Sequence, residues 1–177
     1  MNSPYMGRFQ VTQQFKGSAH DGLDLVGLDS KDIHATVSGK VVYAGWENEN
    51  NHKQGFGQFV CIQGPDNNYY YFGHMSKVIA KTGDTVKCTD TIGVEGDTGY
   101  SFGSHCHYCV RPRFAAGCYL DVTQISGIPN ALGTYNDGYV PGKTPSTPST
   151  PSTSNDVVGT GTIKIDGVEY IVDIKKK

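Results

Sequence analysis

Residues 103–110 read GSHCHYCV, and the backbone conformation of this stretch decides what the rest of the chain can be. Folded as a turn, it would bring Cys106 and Cys109 together as a C-x-x-C pair, the mark of a zinc knuckle or a redox couple. Extended as a strand, it would send alternate side chains to opposite faces. His105, His107 and Cys109 would then point one way, and Cys106, Tyr108 and Val110 the other. No glycine or proline stands between the two cysteines to make the turn. Cysteines on opposite faces of a strand can neither share a metal nor form an unstrained disulfide. The stretch is therefore a predicted strand, closed by Pro112, on which the two histidines share a face.

The neighbouring segments carry the same signature. HATVSGKVVYAGW (34–46) reads as two strands around Ser38-Gly39, and FGQFVCIQG (56–64) and NNYYYFGHM (67–75) flank the turn PDN. KTGDTVKCTDTIGVEGDTG (81–99) is predicted to turn at Gly83, Gly93 and Gly96, with Val86, Ile92 and Val94 facing a core. No helix longer than two turns is expected. The 23 glycines and 11 tyrosines fit a turn-rich β protein better than a helical one. The predicted fold is mainly β, an antiparallel folded-over sheet or small sandwich.

A formal charge of -2, with no basic excess, argues against nucleic acid as a partner. The apolar runs are too short to span a membrane, so no membrane insertion is expected. The start, MNSPYMGRFQ, has no apolar core of a secretory signal, which predicts that the chain is made in the cytoplasm. Five cysteines, an odd number in that setting, predict reduced core residues rather than a disulfide framework. The repeat TPSTPSTPSTS has regular prolines and no apolar residue, so it cannot build a core. This divides the chain into a main domain (1–140), a Pro/Thr/Ser linker (141–154) and a tail (155–177). In the tail, TIKI and VEYIVDI flank Asp166-Gly167, a two-residue hairpin signal. An isolated hairpin is marginal in water, so the tail is expected to serve as an accessory or self-association element.

The H-x-H pair, if isolated, would read as two hydrogen-bonded surface histidines. It is not isolated. HDGLD places His20 and Asp24 four residues apart, in a loop entering a strand or on a glycine-weakened helix. YYYFGHMSKV places His74 after a glycine at the end of an aromatic strand. An imidazole, a carboxylate and a second imidazole make up the ligand set of a catalytic zinc with an open fourth position.

Together these motifs resemble the zinc endopeptidases of bacterial cell walls, the lysostaphin and LytM type. That family pairs H-x-x-x-D with a distant GH after an aromatic strand and then G-x-T-G-x-S-x-G-x-H-x-H. Here the counterparts are HDGLD (20–24), YFGHMSKV (71–78) and GDTGYSFGSHCHY (96–108), in family order across roughly residues 7–115. The resemblance implies one zinc ion held by His20, Asp24 and His107. It also implies that water activated by the zinc attacks an amide with the help of His74 and His105. The implied substrate is a crosslink or stem peptide of bacterial peptidoglycan. Tyr71, Asn50 and His52 are candidate groove residues. Small size and a linker to an accessory tail make the chain look like a phage lysin, either released through a holin-type lesion or carried on the virion.

One position departs from the family pattern. Where H-L-H-F-E is usual, the chain has HCHYC, so Cys109 replaces the glutamate. This is expected to alter support of the ligands rather than remove one. Two rival readings remain at this point, a non-catalytic wall-binding or activator module with the same fold, and a zinc or redox module built on Cys106 and Cys109.

Overall fold

The computed structural model describes residues 2–137, 157–165 and 168–175. Contacts divide the chain into two units, Met1–Lys143 and Thr144–Lys177. The first contains strands β1 (Arg8–Gln13), β2 (Gly22–Gly27), β3 (Asp32–His34), β4 (Gly39–Trp46), β5 (Gln58–Gln63) and β6 (Tyr69–Phe72). These are followed by β7 (Lys77–Val78), β8 (Thr85–Val86), β9 (Thr91–Val94), β10 (Cys106–Arg111), the short helix α1 (Val122–Ser126) and β11 (Gly133–Asn136). Eight strands form one sheet in the order β11-β1-β2-β10-β6-β5-β4-β8, and β3-β9-β7 form a second. All pairings are antiparallel. The expected mainly β fold is observed, and the longest helix among the described residues has five residues. None of the described helices is long and apolar enough to cross a membrane.

The two faces of the large sheet do different work, and the alternation of each strand assigns the residues. One face carries Leu23 and Leu25, Val60 and Ile62, Tyr70 and Phe72, and Cys106, Tyr108 and Val110. These pack with Ile33 and Ile92 of the small sheet into the main core. The opposite face carries Asp24, His107, Cys109, Tyr71 and Cys61, aligned across strands by the pairings His107↔Asp24, Cys109↔Tyr71 and Cys61↔Tyr71. Phe59, Cys61, Tyr71 and Cys109 form a second apolar cluster there. Cys106 and Cys109 thus lie on opposite faces, and all five cysteines are free.

Two expected turns were misread. Gly93 lies inside β9, and Gly96 pairs with His105 in an isolated bridge. Both are glycine because other chain segments crowd them. A Cβ on Gly93 would fall 2.5 Å from Met75 Sδ and 2.7 Å from the Lys77 carbonyl, and one on Gly96 would collide with the Ser76 backbone. The strand expected at residues 34–37 also ends earlier, at His34. Thr36 is instead buried with its hydroxyl 2.9 Å from that of Tyr108.

In the second unit, β12 (Val157–Ile165) pairs antiparallel with β13 (Val168–Lys175), and Ile165 stands opposite Val168. The expected Asp166-Gly167 turn and the Pro/Thr/Ser linker lie outside the described residues.

Candidate metal centre and active-site cleft

β2 and β10 are adjacent, and this places the H-x-x-x-D and H-x-H motifs side by side. His20 sits in the loop entering β2, Asp24 is on β2, and His107 pairs directly with Asp24 across the ladder. Potential ligand atoms of His20, Asp24 and His107 all lie within 4.8 Å of one another. Asp24 Oδ1 is the hub, 3.1 Å from His20 Nε2, 2.9 Å from His107 Nδ1 and 3.5 Å from His105 Nε2. The His74 and His105 rings are 4.6 Å apart, and the His20 and His107 rings 4.8 Å.

Hydrogen bonds on the far side of each ring determine what it offers. A carbonyl oxygen only accepts, so His20 Nδ1 donates to Gln14 (2.7 Å), His74 Nδ1 to Thr98 (2.7 Å) and His105 Nδ1 to Gly103 (2.7 Å). In its neutral form each ring therefore has its lone pair on Nε2. For His20 that lone pair is 3.1 Å from a carboxylate oxygen, two electron-rich atoms that need a cation or a proton between them. His107 faces a carboxylate at both nitrogens, its Nε2 also lying 3.1 Å from Asp21 Oδ1, and its neutral ring has a proton for only one of them. These donors fit a zinc ion, which takes imidazole nitrogen and carboxylate oxygen and leaves a position for water.

The charges of the side chains agree with this geometry. Burial would raise the Asp24 carboxyl, but hydrogen bonds with His107 and His20 and the charges of His107 and His105 hold it well below the usual carboxylate range. Burial would likewise lower His107, yet its contacts with Asp21 and Asp24 raise it well above an ordinary histidine. His74 is pushed down to about 4, chiefly by burial and then by His105, so it stays neutral at neutral pH. Its backbone has φ 61°, a left-handed conformation that costs a non-glycine residue energy and recurs at functional sites.

A cleft of about 930 Å³ opens over the cluster, and Glu47, Phe56, Tyr100, Phe102, Arg111 and Tyr119 are part of its lining. Phe102 is 89% exposed and Tyr100 69%, large apolar surface beside a polar floor. All five expected metal and catalytic positions line this cleft. The expected groove residues Tyr71, Asn50 and His52 do not. Tyr71 is buried within the sheet's second apolar cluster, and His52 stacks on Trp46 at 3.6 Å. Sequence reasoning missed Asp21, Arg111, Tyr100 and Phe102. Asp21 stood inside the quoted HDGLD motif, but nothing in its spacing distinguished it.

Residues 18–118 match the model of peptidase family M23. The chain belongs to this family. It is 36% identical over 92 residues to lysostaphin from Staphylococcus simulans, a match covering 52% of this chain and 18% of that protein. The solved catalytic domain of the same antimicrobial peptidase superposes with a TM-score of 0.55 at 28% identity, covering 67% of this chain and 89% of that one. Endolysin 2638A of Staphylococcus phage 2638A is 30% identical over 107 residues (58% of this chain, 21% of that protein). The murein hydrolase activator NlpD of Escherichia coli (strain K12) is 28% identical over 108 residues (61% and 27%). The matches thus span less than a third of each of these full-length relatives.

Proposed function

We propose that the chain is a zinc-dependent endopeptidase that hydrolyses peptide crosslinks or stem peptides of bacterial peptidoglycan, with His20, Asp24 and His107 holding the metal. The observation that carries this reading is the convergence of the His20 and His107 imidazole nitrogens on Asp24 Oδ1 beneath an open cleft. Similarity to a peptidase and to an endolysin supports it. Zinc bound there would supply a Lewis acid and lower the pKa of water toward about 7.

The chain's own residues supply the proton handling. His105, anchored through Nδ1, holds Nε2 next to Asp24, where it can accept a proton from the attacking water and return it to the leaving amine. His74 stands beside it with its Nε2 directed away from the Thr98 carbonyl, and the ring that has taken up the water's proton can donate it to the developing oxyanion. The apolar rim at Tyr100 and Phe102 shields the reacting bond and gives a peptide surface to lie against. Action on the wall after release from a cytoplasm, or from a virion, fits this activity.

The similarity to a murein hydrolase activator favours a second reading, a non-catalytic module that binds the wall or activates another hydrolase. One experiment separates the two. The purified protein, loaded with one zinc per chain, is incubated with purified peptidoglycan, and released fragments are identified by mass spectrometry. New amino termini that vanish with a chelator and return with zinc are expected. Wall binding without fragments would favour the activator reading.

A further inference from the structure

Three of the four imidazoles in the cleft are oriented by backbone carbonyls, and His107 is the exception. Its outer nitrogen, Nε2, faces the carboxylate of Asp21 at 3.1 Å. The second oxygen of Asp21 accepts from Arg111 Nη2 at 2.8 Å. Arg111 lies four residues beyond His107 on the same face of β10. Its guanidinium sits over the rings of Tyr71 (4.8 Å) and Phe56 (5.1 Å), and Nη1 donates to the Ala115 carbonyl at 3.1 Å. The neighbouring Gly22 makes the approach possible, since a Cβ there would fall 2.7 Å from His107 Nε2.

We propose that Asp21, clamped by Arg111, is the positioning residue that fixes His107 as a metal ligand. The proposal rests on the zinc-binding role given above to His107. Both ring nitrogens of His107 face carboxylates, which only accept. With a cation between Nδ1 and Asp24, the single proton of the neutral ring sits on Nε2, and Asp21 Oδ1 is the acceptor that holds it there. A carboxylate behind a ligating imidazole also makes it a stronger donor than a carbonyl would. Asp21, His107 and Cys109 form a second group whose ligand atoms converge within 4.8 Å. The Arg111 guanidinium already supplies the positive charge at that group, so it acts as a strap for the ligand and not as a second metal site.

The proposal is tested with Asp21→Asn, Asp21→Ala and Asp21→Glu in the full chain, with zinc affinity measured by competition against a chromophoric chelator. Arg111 can only donate, so an asparagine keeps its oxygen on Arg111 and turns its NH2 toward His107 Nε2. That moves the histidine proton to Nδ1, the atom the metal needs. Zinc affinity is expected to fall 10- to 100-fold in Asp21→Asn, to fall less in Asp21→Ala, and to be largely restored in Asp21→Glu. A purely structural role would make alanine at least as damaging as asparagine. Affinity of Asp21→Asn within threefold of wild type, or a greater loss in Asp21→Ala, overturns the proposal. If Asp21→Asn does not fold, ¹H–¹⁵N spectra of Asp21→Ala carry the test. His107 should show both tautomers without zinc, against the single Nε2–H form of the zinc-loaded wild type, and a single Nε2–H tautomer in the variant overturns the proposal. A wild-type protein that binds no zinc refutes the proposed function itself. Zinc binding that ignores Asp21 refutes only this step.

Discussion

Glu95 is a buried acid that the cleft chemistry does not use, and replacing it with glutamine tests how the strand carrying the histidines is anchored. Its side chain is wholly enclosed. Oε2 accepts from Tyr5 Oη (2.6 Å) and the Gly27 amide (2.8 Å), and Oε1 from Ser104 Oγ (2.6 Å) and Lys31 Nζ (2.8 Å). Hydrogen bonds to a charged group contribute about 1.5–3 kcal/mol each and neutral ones about 0.5–1.5. In Glu95→Gln the two bonds at one oxygen drop from charged to neutral, roughly 1 kcal/mol each. At the other side, an NH2 now faces Ser104, at a cost of about 1 kcal/mol more. Lys31 is half exposed and is resolvated at little cost. The sum is about 3 kcal/mol, or on the order of 10 °C in melting temperature for a domain of this size.

The pH dependence of this effect has a definite sign. Burial would raise the Glu95 carboxyl, but Lys31, Ser104, Tyr5 and the Gly27 amide together hold it below its ordinary value. Its contribution is therefore present above the unfolded value of about 4.3 and is lost as the pH falls through the folded one. Calorimetry of wild type and Glu95→Gln, both in chelator to remove any contribution from bound metal, should show the gap at pH 7 and its closure on acidification. A gap under about 3 °C at pH 7, or one unchanged at pH 3, refutes the reasoning.

Other expected outcomes can be checked alongside. His107→Ala should lower bound zinc to a fraction of wild type by metal analysis, whereas His105→Ala should keep the metal and lose hydrolysis. Equal loss of metal in both would contradict the division of roles. Gly22→Ala should cost about 1–3 kcal/mol by denaturant titration and weaken zinc binding, because its Cβ would fall 2.6 Å from the Tyr108 carbonyl and 2.9 Å from Cys109 Cβ. Replacing Cys106 and Cys109 together with serine should leave zinc stoichiometry intact, at a cost in stability from hydroxyls in two apolar clusters. Loss of zinc there would move the metal to the cysteines.

Residue type and short-range spacing settle a good deal of this protein. The absence of a turn former between Cys106 and Cys109 makes residues 106–111 a strand, and period-two alternation then puts His107 with Cys109 and separates Cys106. Aromatic and β-branched runs between turn residues give β5 and β6 in the same way. These are local properties, fixed by backbone sterics over a few residues. Gly93 and Gly96 misled because a glycine required by a turn and one required by a crowding neighbour look alike in a sequence.

Only the tertiary structure decided which distant groups meet. Asp21 reaches His107 across 86 residues because β2 and β10 are neighbours in the sheet and Gly22 lets them close up. Tyr71 shares the sheet face of His107 but pairs with Cys109, further along that face, where Arg111 covers its ring, while Tyr100 and Phe102 line the opening from a loop. Contacts of this kind depend on strand order and on the space between packed elements, which no local pattern of residues encodes.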